Sequence, residues 1–288
     1  MIWITQEYGG NMTCDHHWHK KGRRNGKSRF RCSDCGTWRS EPIKDINPGD
    51  ILRLEFDKTI RLHGFTDVHV GANEFHREKF QEAVKKVKDD PDAYWFGNGD
   101  LIECIPPNYK IPQRGQYSEV DDQIQEFLNL VRPIADKCIF LRGGNHDSLR
   151  SIRLLGADVV KLVARELSVP YYRMPGYTQI VINGTRWNLA SGHGKSGAKN
   201  GDLELGKMQD VYSQAHVCFL GHDHKLYIKP MDSLRIDGHE ERLFRRWWIR
   251  GGSFLKYAEY ARYSFYPIIR TGWVTMEFSK DNIEAWEN

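Results

Sequence analysis

Four times along the chain a short apolar run of β-forming residues stops at a glycine-bearing loop of metal-ligand residue types: TIRLHGFTDVH (59–69), AYWFGNGD (93–100), CIFLRGGNHD (138–147) and AHVCFLGHDH (215–224). Runs this short, rich in aromatic and β-branched residues and bounded by Gly, Asn and Asp, predict buried strands. Helical periodicity lies between them. Residues 73–88 place Phe80, Ala83, Val84 and Val87 on one stripe, with Asn73 as cap. Residues 121–131 do the same with Ile124, Phe127, Leu128 and Val131, and Asp121 and Asp122 sit at the favourable N-terminal end. Residues 151–167 repeat the stripe through Ile152, Leu155, Val159 and Leu162. Strands alternating with helices predict an α/β fold whose strand ends share one edge. QIVINGTRWNLASGHG (179–194) predicts a hairpin turning at Asn183-Gly184, and the C-terminal stretch predicts a strand pair turning at 280–282.

The loops carry, in order, Asp67-Val68-His69, Gly99-Asp100, Gly144-Asn145-His146-Asp147, Gly192-His193 and Gly221-His222-Asp223-His224. Mixed carboxylate, carboxamide and imidazole ligands suit Mn, Fe or Zn better than Ca or Mg, which prefer oxygen alone. The donors are too many for one ion. Two ions about 3.5–4 Å apart that share a carboxylate would use them all.

The series D-x-H, G-D, G-N-H-D, G-H, G-H-x-H resembles the calcineurin-like metallophosphoesterases, over about 60–270 of this sequence. The resemblance implies a four-layer αββα sandwich of two mixed sheets. It also implies one ion held by Asp67, His69 and His224, a second held by Asn145, His193 and His222, and Asp100 bridging the two. A neutral amide ligand at Asn145 keeps such a pair strongly Lewis-acidic. His146 would face the substrate phosphate, with Asp147 as its orienter, and a bridging hydroxide would attack phosphorus. Glu103, three residues past Asp100, is read as a support for the ligands. The loop 104–118 is a candidate substrate rim, with Lys110 and Arg114 as phosphate contacts, and Asp223 has no evident task.

The N-terminal segment differs in kind. Residues 1–40 hold eight Lys/Arg and three Asp/Glu, a net of +5, whereas the remainder holds 34 and 35, a net of −1. Cys14-x2-His17 and Cys32-x2-Cys35 have the number and spacing of a structural Zn2+ site, with His16 and His19 as other candidates for the fourth ligand. RFRCSDCG (29–36) resembles the zinc ribbons of transposases and of phage or bacterial DNA-associated proteins. Lys20, Lys21, Arg23, Arg24, Lys27, Arg29 and Arg31 crowd between the two knuckles, with Trp18, Phe30 and Trp38 around them. Cations beside aromatics suit phosphate contact and base stacking, although a ribbon of this size also docks onto proteins. Cys104, Cys138 and Cys218 are scattered and read as small core residues.

The expected organisation is a zinc-ribbon-like basic module over 1–40, a linker or first strand over 41–58, and a metallophosphoesterase domain over 59–288. The expected activity is phosphodiester hydrolysis in nucleic acid by a dinuclear site, Mn2+ first and Fe or Zn2+ after it, in a nuclease of possible phage origin. The alternatives are a phosphomonoesterase or small-nucleotide phosphodiesterase, and a nucleic-acid- or protein-binding module on a hydrolase scaffold. No apolar run is long enough to cross a bilayer, and no signal peptide stands out, so a cytoplasmic setting is expected.

Overall fold

The computed structural model describes residues 18–24, 27–32, 38–42, 45–47, 49–106, 116–195, 201–257, 268 and 270–288. Near the N-terminus, β1 (Trp18–Arg24), β2 (Lys27–Cys32) and β3 (Trp38–Pro42) form a three-stranded antiparallel sheet in that order. β1 and β2 make the hairpin expected of the basic stretch, with Arg24 opposite Lys27, so Lys20, Lys21, Arg23, Arg24, Lys27, Arg29 and Arg31 lie along its two strands. Of the expected zinc ligands, Cys32 ends β2, and Cys14, His17 and Cys35 lie outside the described residues.

The rest is mixed α/β around a large sheet. Its strands are β4 (Asp45–Ile46), β5 (Leu52–Phe56), β6 (Ile60–Phe65), β7 (Ala93–Asn98), β8 (Cys138–Arg142), β9 (Tyr171–Tyr172), β10 (Gly176–Ile182), β11 (Thr185–Gly192), β12 (Val217–Leu220), β13 (Leu226–Asp237), β14 (Glu240–Ser253), β15 (Gly272–Phe278) and β16 (Ile283–Glu287). The order is β4-β9-β8-β7-β6-β15-β14-β12-β11-β10-β5, with β13 on β14 and β16 on β15. β6, β7 and β8 run parallel, as do β11 and β12. These are the strands whose ends carry the ligand loops, and parallel strands deliver their C-terminal ends to one edge. β4 and β5, from the span expected to be linker or first strand, pair with β9 and β10.

The helices are α1 (Arg77–Asp89), α2 (Val120–Val131), α3 (Ser151–Leu155), α4 (Val159–Leu167) and α5 (Gly201–Val211). Two expectations are corrected. α1 starts later than Asn73, because its cap is His76, whose Nδ1 accepts from Lys79 N and whose own N–H is drawn to Phe254 O at 2.7 Å. The stretch 151–167 is two helices. Gly156 at φ +69° closes α3, and Asp158 caps α4 by accepting from Lys161 N at 3.1 Å. The break resets the helical phase, so Val159, Val160, Val163, Ala164 and Leu167 are buried while Leu155 and Leu162 are exposed. The hairpin at Asn183-Gly184 is as expected, with Ile182 opposite Thr185, and so is the C-terminal pair, with Phe278 opposite Ile283.

α1, α2 and α4 pack on one core cluster with Phe65, Trp95 and Trp273, and α5 packs on another with Ala190 and Cys218. A third cluster joins strands far apart in the order. Phe96 of β7 meets Phe219 of β12 at 5.0 Å between ring centres, so these parts of the sheet face each other. Each such phenylalanine, wholly buried, contributes about 1.5–3 kcal/mol. Gly64 and Gly251 make room for the Phe219 ring, since a Cβ on either would lie 2.5 Å from it. Cys104, Cys138 and Cys218 are buried, and burial pushes the pKa of the Cys104 and Cys218 thiols up to about 12.

Candidate metal centre

Main-chain hydrogen bonds join the ligand loops in pairs, and the Asn145 turn is joined to them through the side chains of Asp100 and Asp147. Asp67 N donates to Gly99 O, His69 N to Asp100 O, Gly221 N to His193 O and Phe254 N to Asp67 O, each at 3.0 Å. Glycine permits this proximity. A Cβ on Gly144 would stand 2.2 Å from Asp100 Oδ1, and one on Gly221 would stand 2.0 Å from Thr66 Oγ1 and 2.6 Å from Asp67 Oδ2. Asp67, His69, Asp100, His222 and His224 all have φ between 51° and 73°, five of the eight non-glycine residues with positive φ among those described. That conformation costs about 1–2 kcal/mol per residue and persists only where the surroundings impose it.

Two donor sets result. In the first, Asp67 Oδ1 lies 3.3 Å from His224 Nε2 and 3.9 Å from His69 Nε2. In the second, His193 Nε2 lies 3.0 Å from Asp100 Oδ2 and 3.1 Å from Asn145 Oδ1, which also faces His222 Nδ1 at 2.8 Å. The ligand atoms of Asp67, His69 and His224 fall within 4.8 Å of one another, as do those of Asp100, His193 and His222. All seven residues expected to hold metal therefore stand at one place.

The chemistry of these donors fits divalent cations. Among the described residues, Asp67 Oδ1 and His69 Nε2 are buried and find no hydrogen-bond partner. His69 Nδ1 faces Glu103 Oε2 at 2.7 Å and His193 Nδ1 faces Asn98 O at 2.9 Å. Each contact fixes the proton on Nδ1 and turns the Nε2 lone pair towards carboxylate oxygen. Lone pairs facing oxygens at 3–4 Å require a positive charge between them, a proton or a metal. Burial alone would keep Asp67 neutral, but the nearby charges of His193 and His224 outweigh it and hold its pKa near 2. Asp100 is likewise held well below the usual carboxylate range, chiefly by His193 and His146 against the cost of burial. Conversely, burial disfavours charge on His193, yet Asp100 and Asp67 raise it to about 10.

Solved structures offer a likeness of overall shape. The chain is similar to zinc-complexed Vps29 from Entamoeba histolytica, at 12% identity over 79% of this chain and 91% of that one, with a TM-score of 0.44. It is similar to vacuolar protein sorting 29 from Cryptosporidium parvum at 12% identity, over 81% and 98%, with a TM-score of 0.44. A protein from Streptococcus pneumoniae described as a predicted phosphoesterase is 13% identical over 80% and 98%, with a TM-score of 0.37. No family model and no curated protein sequence matches. At such scores the site stands on its own geometry.

His146 borders the centre. Its backbone N–H donates to Asp100 Oδ1 at 2.8 Å, and its ring lies 4.7 Å from that of His69. The expectation that Asp147 orients it is corrected. Asp147 is wholly buried, and its oxygens accept the backbone N–H groups of Gly144 at 2.8 Å and Leu101 at 2.6 Å, tying the β7 and β8 loops together. Adjacent residues in the widened turn Asn145–Arg150 point apart, so the neighbour in sequence is not the neighbour in space. The carboxylate that faces His146 is Glu103, with Oε1 at 3.3 Å from Nδ1. Burial opposes charge on His146, but Asp100 and Glu103 raise it to about 8. Glu103 thus touches both His69 and His146, and Arg150 holds it in turn through its main-chain oxygen at 3.1 Å.

Several supporting residues carried little sequence signal. Thr66 Oγ1 donates to Asp67 Oδ2 at 2.6 Å, and Asn98 orients His193. Asp223 turns away from the donors, to Arg250 Nε at 3.6 Å and Lys225 Nζ at 3.4 Å. Asn98 closes the apolar strand AYWFGN, but it orients His193 through its main-chain oxygen, which any residue would supply. Lys110 and Arg114 lie outside the described residues.

Proposed function

We propose that this chain is a metal-dependent phosphoester hydrolase that holds two divalent cations, Mn2+ foremost and Fe or Zn2+ as alternatives. The ligands would be Asp67, His69 and His224 for one, Asn145, His193 and His222 for the other, with Asp100 shared. The observation that carries this reading is the pair of unpartnered buried atoms, Asp67 Oδ1 and His69 Nε2, beside a second donor set built around Asp100. The clusters on either face of the folded sheet support the four-layer helix–sheet–sheet–helix arrangement.

Once bound, the cations would supply charge neutralisation for a phosphate group and a lowered pKa for water. The residues supply the rest. Glu103 accepts from His146 Nδ1, which leaves Nε2–H, 3.9 Å from Asp100 Oδ2, to protonate the leaving oxygen. In the metal-free chain the charges of Asp100 and Glu103 favour the protonated ring against the cost of burial. Asp147 and the strained ligand backbone keep the loops in register, so little reorganisation accompanies the reaction.

The substrate we assign is a phosphodiester in nucleic acid. The support is the concentration of cations along β1 and β2, together with the proposed Zn2+ site of Cys14, His17, Cys32 and Cys35. Metal-supplemented digestion of single-stranded, duplex and RNA oligomers tests it. Asp100→Asn should abolish cleavage, and His146→Ala should slow it by about 100-fold or more while metal is still bound. Undiminished cleavage by both variants would refute the assignment.

A further inference from the structure

The β13–β14 hairpin is longer than the sheet it joins. Trp247–Arg250 of β14 pair with β12 and Gly252–Ser253 pair with β15, whereas Glu240–Arg246 pair with β13 alone. Among the described residues, Met231–Arg246 is therefore a two-stranded arm with both edges open. Since β14 runs parallel to β12, the arm leaves from the end of β12 opposite the ligand loops.

The two faces of the arm differ. On the inner face, Phe244 lies 4.9 Å from the His216 ring, and Arg235 and Arg246 each donate to Ser213 O at 3.2 Å. That face rests on the body of the molecule. On the outer face, the cross-strand pair Leu234 and Leu243 is 67% and 64% exposed, and Ile236, opposite Glu241, is 83% exposed. At the base of the same face, Asp232 and Arg245 share two hydrogen bonds of 2.8 Å. A cross-strand leucine pair beside two open edges is a surface that soluble proteins avoid unless something covers it.

Charge decides what covers it. Residues 231–246 contain four arginines and four acids, a net of zero, which disfavours an anionic polymer. Along the outer face the order is Arg245 with Asp232 beside it, then the leucine pair, then Glu241 with Ile236, so an arm turned end for end lays Arg245 over Glu241 and Asp232 over Ile236. The Arg245–Glu241 and leucine pairings make the face complementary to itself, the signature of an isologous contact. We propose that the outer face is a homodimer contact, in which two copies stack their arms antiparallel. Leucines meet leucines about the two-fold axis, and Glu241 of each copy meets Arg245 of the other. The patch is smaller than the roughly 800 Å² per partner of a stable interface, so the association is weak, on the order of micromolar.

Sedimentation velocity on the full chain tests this, between about 1 and 100 micromolar. The wild type should shift from monomer to dimer across that range, and Leu243→Asp should remain monomeric. Glu241→Arg alone sets like charges together in both contacts, and so does Arg245→Glu alone, so each should be monomeric. An equimolar mixture of the two restores both pairs and should dimerise, a recovery that a merely unfolded arm cannot give. A wild type monomeric throughout, a dimer that survives Leu243→Asp, or a mixture that stays monomeric would each overturn the proposal.

Discussion

At Gly144 a methyl group would lie 2.2 Å from Asp100 Oδ1 and 2.4 Å from the Asp100 amide nitrogen. Neither atom can yield, because Oδ1 accepts from His146 N, and the peptide beyond belongs to a stitched loop. Gly144→Ala should therefore push the Asn145 turn away from Asp100 and weaken Mn2+ binding by about 10–100-fold, as losses around metal ligands do. Calorimetric titration measures this, and an unchanged affinity would show that the glycine is only a turn residue. Protonation offers a second check at this scale. His193, near 10, is a cation at pH 7.5 and must lose its proton to ligate. Metal binding at pH 7.5 should release about one proton or more, read from titrations in buffers of differing ionisation enthalpy. Zero release would mean that His193 is not a cation displaced by the metal. The ligand residue types were legible in sequence because a histidine or aspartate after strand and glycine has few structural uses. The partner of His146 was not legible. Asp147 adjoins it in the chain, yet backbone direction sends that carboxylate to Leu101 N, whereas Glu103 arrives from another loop.

Between elements, Asp158 does more than cap α4. Its Oδ2 accepts from Ser148 Oγ at 2.9 Å and from Tyr171 OH at 2.5 Å, tying the helix to the turn that bears Asn145 and His146. Asp158→Ala should destabilise the chain by about 1–2 kcal/mol in urea unfolding, with the midpoint rather than the slope changing. The split of 151–167 was hidden because Gly-Ala-Asp interrupts a pattern that stays apolar on both sides, and only the cap resets its phase. β6 and β15 hold a pH-sensitive joint. Trp273 Nε1 donates to His63 Nδ1 at 3.0 Å, so the ring is neutral there, and burial pushes its pKa down to about 4. A histidine with a depressed folded pKa gives stability that is complete above the unfolded value of 6.5 and is lost as pH falls from 6.5 towards 4. The loss should approach about 3 kcal/mol. Unfolding measured from pH 7.5 to 4.5 should show this slope, and His63→Leu should remove its share, leaving that of His216, which burial also pushes down to about 4.

For the molecule as a whole, the strand order brings β7 and β12 face to face and places the ends of β6, β7, β8, β11 and β12 around one centre. That convergence was legible from repetition, since each exit repeats the same strand, glycine and ligand pattern. The long β13–β14 arm was not, because alternating arginines and leucines resemble any surface strand. Cations that bind the folded chain alone should stabilise it by about 2.7 kcal/mol at 100 times the dissociation constant, raising Tm by roughly 5 °C or more. The most direct test of the central claim is anomalous scattering from Mn2+-soaked crystals. The account predicts two peaks about 3.5–4 Å apart on either side of Asp100, one beside Asp67, His69 and His224, the other beside Asn145, His193 and His222. A single peak, or none within reach of these side chains, would contradict it.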